Sequence, residues 1–132
     1  MNNAKPFIKF WLPVIIYAML IFLVSSFETP FNLKLETTGL DKIAHFLEYL
    51  ILGFLLVRAI RASSLKVSAR NAIFMAFAIG SFYGITDEIH QSFVPGRFVA
   101  ISDFICDSIG SLTGAIIFTY YTSWGRNARR SG

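Results

Sequence analysis

Seven acidic, basic or amide-bearing side chains fall within the segment "YGITDEIHQSFVPGRFVAISDFICDSIGSLTG", namely Asp87, Glu88, His90, Gln91, Arg97, Asp103 and Asp107. A second group stands some forty residues earlier in "DKIAHFLEY", with Asp41, Lys42, His45, Glu48 and Tyr49. These residue types support three chemistries. A histidine held by Asp41 or Glu48 is a general base that titrates near neutral pH. His45 with Glu48, joined by Asp87 or Asp107, supplies nitrogen and oxygen ligands suited to a divalent cation such as Zn²⁺ or Mn²⁺. The stretch "HFLE" lacks the H-E-x-x-H zinc pattern, so the spacing alone is a weak metal signal. Arg97 follows a Pro-Gly turn and offers a planar donor fork for a phosphate. No Ser or Cys stands in a nucleophile arrangement, and Cys106 reads as a small packed residue.

The positions of these groups derive from helical spacing, because residues three, four, seven or eight apart share a face. Asp41, His45, Glu48 and Leu52 form one stripe, flanked by Lys42 and Tyr49. Tyr83, Asp87, His90 and Gln91 share a broader face with Glu88 at its edge; His90, displaced from the main face, reads as packed or solvated. Asp103, Asp107, Gly110 and Gly114 form the narrowest stripe. Gly110 with Gly114, and Gly80 with Gly84, have the small-xxx-small spacing that lets helix backbones approach closely. Asp41 and Asp103 also suit helix N-caps.

The chain is 55% hydrophobic and 15% charged over 132 residues, too little charge to clothe a soluble domain of this size. Its long apolar runs imply an all-α polytopic membrane protein, a four-transmembrane-helix bundle forming a single domain over 1–132. The expected helices are approximately 7–26, 43–60, 71–92 and 103–124. The first reads as a retained helix rather than a signal peptide, being longer than an h-region and followed by no small-residue cleavage site. Pro13 lies inside it and is tolerable where neighbours satisfy the freed carbonyl. Tyr120, Tyr121 and Trp124 fit an interfacial belt at the end of the last helix. The net charge of +4 raises a nucleic-acid partner, but the basic residues flank apolar runs, which indicates orientation instead.

Lys5 and Lys9, then Arg58, Arg61, Lys66 and Arg70, then Arg126, Arg129 and Arg130 all fall on one side of a four-helix topology; Lys34, Lys42 and Arg97 fall on the other. The positive-inside rule therefore makes both termini cytoplasmic and turns the polar stripes outward. There, six carboxylates (Asp41, Glu48, Asp87, Glu88, Asp103, Asp107) face two fixed cations, Lys42 and Arg97. Charge inside a bilayer is costly, so the excess demands ion pairs, retained protons or a bound cation. An intramembrane ionisable residue is a functional candidate by default.

The chain resembles the VanZ-like family of small membrane proteins through "DKIAHFLEYLILG", "TDEIHQSFVPGR" and "SDFICDSIGSLTG". The family's pattern of D-K-x-x-H-x-x-x-Y, D-E-x-x-Q-x-F-x-P-x-R and D-x-x-x-N-x-x-G falls here on Asp41, Lys42, His45, Tyr49, Asp87, Glu88, Gln91, Pro95, Arg97, Asp103 and Gly110. Asp107 stands where that pattern has Asn. The resemblance implies a bacterial cytoplasmic-membrane protein and a link to glycopeptide-type antibiotic resistance, for which the family is named.

The function expected from these readings is an outward-facing site that binds, and in its enzymatic version modifies, the headgroup of an envelope lipid or lipid-linked cell-wall precursor. His45, Glu48, Asp87 and Glu88 are the candidate catalytic groups. Asp41, Lys42, Tyr49, Gln91, Arg97, Asp103 and Asp107 are the candidate binding groups, and the partners are membrane lipids rather than nucleic acid. The alternative is a non-enzymatic accessory protein whose cluster serves helix packing and partner recognition. A proton or cation path through Glu48 and Asp107 ranks last, since the cytoplasmic halves of the helices are apolar. The orientation is directly testable. A green fluorescent reporter fused after Gly132 should fluoresce and alkaline phosphatase at the same place should be inactive; the opposite pair of results would invert the topology.

Overall fold

The computed structural model describes residues 4–27, 39–63, 66–97 and 99–128, with side chains described between 7 and 124. Four helices make up the described chain: α1 (Ala4–Ser25), α2 (Leu40–Ser63), α3 (Ala69–Gln91) and α4 (Ile101–Ala128), with no strand among the described residues. Each carries a span long and apolar enough to cross a membrane: Phe7–Ser25, Leu40–Ser63, Ala69–Gln91 and Ile101–Trp124. The 24 residues of α2 extend about 36 Å at 1.5 Å per residue, more than the roughly 30 Å hydrocarbon core. Of the basic residues that argue orientation, Lys34, Arg129 and Arg130 lie outside the described residues, as do the side chains of Lys5 and Arg126.

Helix starts differ from expectation in an instructive way. α2 begins at Leu40 after Gly39, whose φ of 73° suits a residue without a Cβ. Asp41 therefore lies within the first turn rather than at the N-cap, and Asp103 likewise sits in the first turn of α4. Both carboxylates still complement the positive end of the helix dipole. The N-cap that does form is Ser68, two residues before Arg70: its Oγ accepts the backbone N–H of Asn71 at 3.2 Å, so α3 starts earlier than its apolar run suggests. Beyond the other end of α3, in the α3–α4 connection, Pro95-Gly96 forms the expected turn, with Gly96 at φ 78°.

α2 is the central element, packing against α1, α3 and α4, while α1 touches α2 and α3 but not α4 among the described residues. α1 is apolar on every side and leaves Ile8, Leu12, Ile15, Ile16 and Met19 exposed on its outer face, where lipid would cover them. Its buried residues, Val14 and Ile21, join Leu52, Leu56, Val57 and Ile60 of α2 in the core. Tyr83 on α3 donates to the Ala18 carbonyl of α1 at 2.6 Å, and Trp11 Nε1 donates to Ser63 Oγ at the far end of α2 at 2.6 Å.

The closest helix approach is between α2 and α4, which run parallel. A Cβ at Gly110 would overlap the Phe46 carbonyl, one at Gly114 the Leu50 carbonyl, and one at Gly53 the Ser111 backbone. Without hydrophobic drive inside a bilayer, such backbone contact is how helices gain dispersion energy. On the α3 side, Gly80 faces the Ser111 side chain, and Ser111 Oγ donates to the Ala76 carbonyl at 3.2 Å. Gly84 lies against Asp107 and Tyr49. The expected glycine pairs are thus packing positions, joined by Gly53, which spacing alone did not single out. A consequence is that Gly53→Val or Gly114→Val should each destabilise the bundle by about 1–3 kcal/mol or prevent assembly. Ile116→Val, on the exposed face of α4, should change stability by under about 0.5 kcal/mol. Thermal unfolding in detergent micelles measures both, and equal effects would refute the close-approach account.

Candidate functional site

Parallel α2 and α4, alternating with α1 and α3, bring the first turns of α2 and α4 and the last turns of α1 and α3 to one end of the bundle. The polar groups gather there in two neighbouring networks. In the first, at the rim, Lys42 Nζ lies 3.1 Å from Asp41 Oδ2 and 3.0 Å from Asp103 Oδ1. Ser102 Oγ adds a bond to Asp103 Oδ1 at 3.3 Å. Lys42 is thereby engaged by two carboxylates.

One turn deeper, His45 Nδ1 and Asp107 Oδ1 are 3.0 Å apart. An ionised carboxylate only accepts, so in this pair a neutral imidazole donates from Nδ1 and keeps its lone pair on Nε2. The partner that orients His45 is therefore Asp107 and not Asp41 or Glu48. Glu88 of α3 completes this layer: one ligand-type atom from each of His45, Glu88 and Asp107 lies within 4.8 Å of the other two. All three side chains are buried, with residue exposures of 7%, 6% and 0%. Neither oxygen of Glu88 has a hydrogen-bond partner, the Ala100 amide being near but outside bonding geometry, and Asp107 Oδ2 has none either. The Tyr49 hydroxyl, in a fully buried residue, is likewise unpartnered among the described residues. Glu48 is only half-buried and forms no ion pair within 4 Å among the described residues, so the grouping expected around His45 is corrected: Glu88 takes the place given to Glu48.

The second network faces α1. Asp87 accepts from Ser25 Oγ at 2.7 Å and from Gln91 Nε2 at 2.8 Å, so this carboxylate is fully engaged in tying α3 to α1. Arg97 reaches Gln91 Oε1 and the Val24 carbonyl, both at 3.4 Å, while its Nε has no partner. His90 lies apart from the cluster, bonded to Ser26 Oγ at 2.9 Å and tilted over Phe22 with ring centroids 4.2 Å apart.

A family model described as VanZ/LLP1 matches residues 5–122. The chain belongs to the VanZ/LLP1 family. No curated protein and no solved structure gave a match.

Within this VanZ/LLP1 chain the matched region reaches into all four helices and includes every residue of both polar networks. Sequence reasoning placed Glu88 at the edge of its face, although a signal for its burial was present. Ala72, Ala76, Gly80, Gly84 and Glu88 recur at strict four-residue spacing, and all five are buried. Small residues at that spacing mark the contact face, and Glu88 closes the series. Ser25 and Ser26 were also missed, because the partners they meet lie more than sixty residues away in sequence. The geometry ranks the polar residues by what their loss would cost. His45→Ala strips Asp107 of its donor inside the bundle and should cost about 3–5 kcal/mol. Asp41→Asn leaves the Lys42–Asp103 pair in place and should cost under about 1 kcal/mol, since Lys42 is partly exposed. Chemical or thermal unfolding of the two variants checks the order, and the reverse order would refute it.

Proposed function

We propose that this VanZ/LLP1 protein lies in a bacterial cytoplasmic membrane with both termini inside, and that its polar end faces outward to bind a phosphate-bearing headgroup of an envelope lipid or lipid-linked cell-wall precursor. Arg97 carries the reading. It stands on the α3–α4 connection at the polar end of the bundle, is partly exposed, and forms no ion pair within 4 Å among the described residues. Its two hydrogen bonds are long and go to neutral acceptors. A guanidinium so placed exchanges weak neutral partners for a charged, bidentate one at a net gain. Lys42, already shared between Asp41 and Asp103, acts as a structural cation and not as a second anchor.

In the enzymatic form of this proposal, His45 accepts a proton at Nε2 from the bound headgroup or from water, with Asp107 holding the ring and stabilising the imidazolium. Resistance to glycopeptide-type antibiotics would then arise from altered handling of cell-wall precursors. A second reading is favoured by one observation: Asp87 is wholly occupied by Ser25 and Gln91, and Lys42 by two carboxylates. Under it these residues serve helix packing, and the protein is an accessory binding partner without turnover.

Lipids co-purifying with the wild type and with Arg97→Ala, measured by mass spectrometry, separate the two. Loss of one charge-assisted hydrogen-bond set, about 1.5–3 kcal/mol, corresponds to roughly a 10- to 100-fold drop in retention of phosphate-bearing lipid. Lys42→Ala should change retention far less. Equal retention by wild type and Arg97→Ala overturns the headgroup anchor and leaves the packing reading.

A further inference from the structure

We propose that His45, Glu88 and Asp107 form a binding site for one first-row divalent metal ion, Zn²⁺ or Mn²⁺ by donor set, in the interior of the bundle. This goes beyond the headgroup reading and does not depend on it. The three residues come from α2, α3 and α4, so the site exists only when those helices are assembled.

Geometry is the first argument. Ligands bound to one ion at about 2.1 Å stand about 3.0 Å apart when at right angles and about 3.4 Å apart in a tetrahedron. His45 Nδ1 and Asp107 Oδ1 already stand 3.0 Å apart; on binding the ion the imidazole proton moves to Nε2, so that Nδ1 presents its lone pair to the metal in place of donating to Asp107. Glu88 offers a carboxylate oxygen within the 4.8 Å span of the triad, and its flexible end closes the remainder by rotation. One imidazole nitrogen with two carboxylate oxygens is a donor set common to zinc and manganese sites.

Charge is the second, independent argument. Glu88 is 94% buried on its 6% exposure, and both of its oxygens lack a hydrogen-bond donor, as does Asp107 Oδ2. Burying ionised carboxylates without donors or counter-charge is strongly disfavoured. The nearby fixed cations do not neutralise these oxygens: Lys42 bridges Asp41 and Asp103, and Arg97 forms no ion pair within 4 Å among the described residues. A divalent ion with neutral His45 balances the two carboxylates and satisfies the orphaned oxygens together. Asp107 contributes a charge that the Asn of the related family pattern would not, so the site is specific to chains that carry the carboxylate.

The test uses the full chain purified in detergent, stripped with a chelator and titrated with Zn²⁺ or Mn²⁺, with bound metal counted by elemental analysis. The wild type should take up about one ion per chain. Glu88→Gln and Asp107→Asn should each weaken binding at least about tenfold, whereas Asp41→Asn and Arg97→Ala should bind as the wild type does. Unchanged metal binding by Arg97→Ala separates this site from the headgroup anchor, so either proposal can fail alone. No stoichiometric ion on the wild type, or equal affinity in Glu88→Gln, overturns the site and leaves a proton shared between Glu88 and Asp107. Equal loss in Asp41→Asn marks the ion as adventitious and overturns it as well. Should Glu88→Gln fail to fold, the wild type decides: its unfolding midpoint must rise with metal concentration, and no rise refutes the site.

Discussion

Everything at the polar end of this molecule depends on how closely α2 and α4 approach. Three glycines, Gly53, Gly110 and Gly114, put backbone against backbone between Phe46 and Phe54 of α2 and Gly110 and Gly114 of α4. At that separation the side chains of His45 and Asp107, one from each helix, meet at hydrogen-bond distance. A Cβ at any of the three positions would push the helices apart by more than an imidazole–carboxylate bond tolerates. Packing that serves stability in the apolar half therefore also sets the chemistry in the polar half. In a bilayer this coupling is natural, because lipid tails compete with apolar side chains and leave close backbone contact as a main source of helix association.

The second constraint is charge. Six carboxylates share one end of a small bundle; Glu48 stays half-buried at its side, and the structure treats the other five in three ways. Asp41 and Asp103 are paired with Lys42, Asp87 is satisfied by hydrogen bonds from Ser25 and Gln91, and Glu88 with Asp107 is left as a buried pair around His45. The first two arrangements fasten helices together: Lys42–Asp103 joins α2 to α4, and Ser25–Asp87 joins α1 to α3. Only the third keeps acceptors in reserve. Arg97, on the α3–α4 connection, forms no ion pair within 4 Å among the described residues and is bound by neutral oxygens at 3.4 Å. Membership of the VanZ/LLP1 family agrees with the membrane architecture.

The legibility of the site in the sequence was uneven, and for physical reasons. Helical periodicity brought His45, Asp107 and Asp103 to one end, because the rise and turn of a helix make faces countable. The same counting placed Glu48 beside His45, but it did not show which of its neighbours is buried: on α2 the core face runs through His45, Tyr49, Leu52 and Leu56, which leaves Glu48 at its edge and half-buried. Glu88 was undervalued because a face was drawn around the polar residues of α3 instead of around its small ones. In a membrane bundle the small residues define the contact face, and the series from Ala72 to Gly84 points to Glu88. Gly53 lacked a second small residue at the expected spacing within its own helix, and its partner is on α4.

By itself the sequence determined the features that arise from local chemistry and solvent: four helices long and apolar enough for a membrane, a turn at Pro95-Gly96, and acidic residues near the starts of α2 and α4. It also determined that ionisable groups crowd one end, since alternating helix direction leaves no other arrangement. The tertiary structure decided partnership. That Asp107 holds His45, that Lys42 serves Asp103, that Ser25 serves Asp87 and that Glu88 enters the triad are all contacts between different helices, the first three across 61 or 62 positions of sequence. Helical spacing says which residues share a face but not how neighbouring helices are rotated against it. Here that rotation is set by glycine-to-backbone contact, which exists only once the helices have packed.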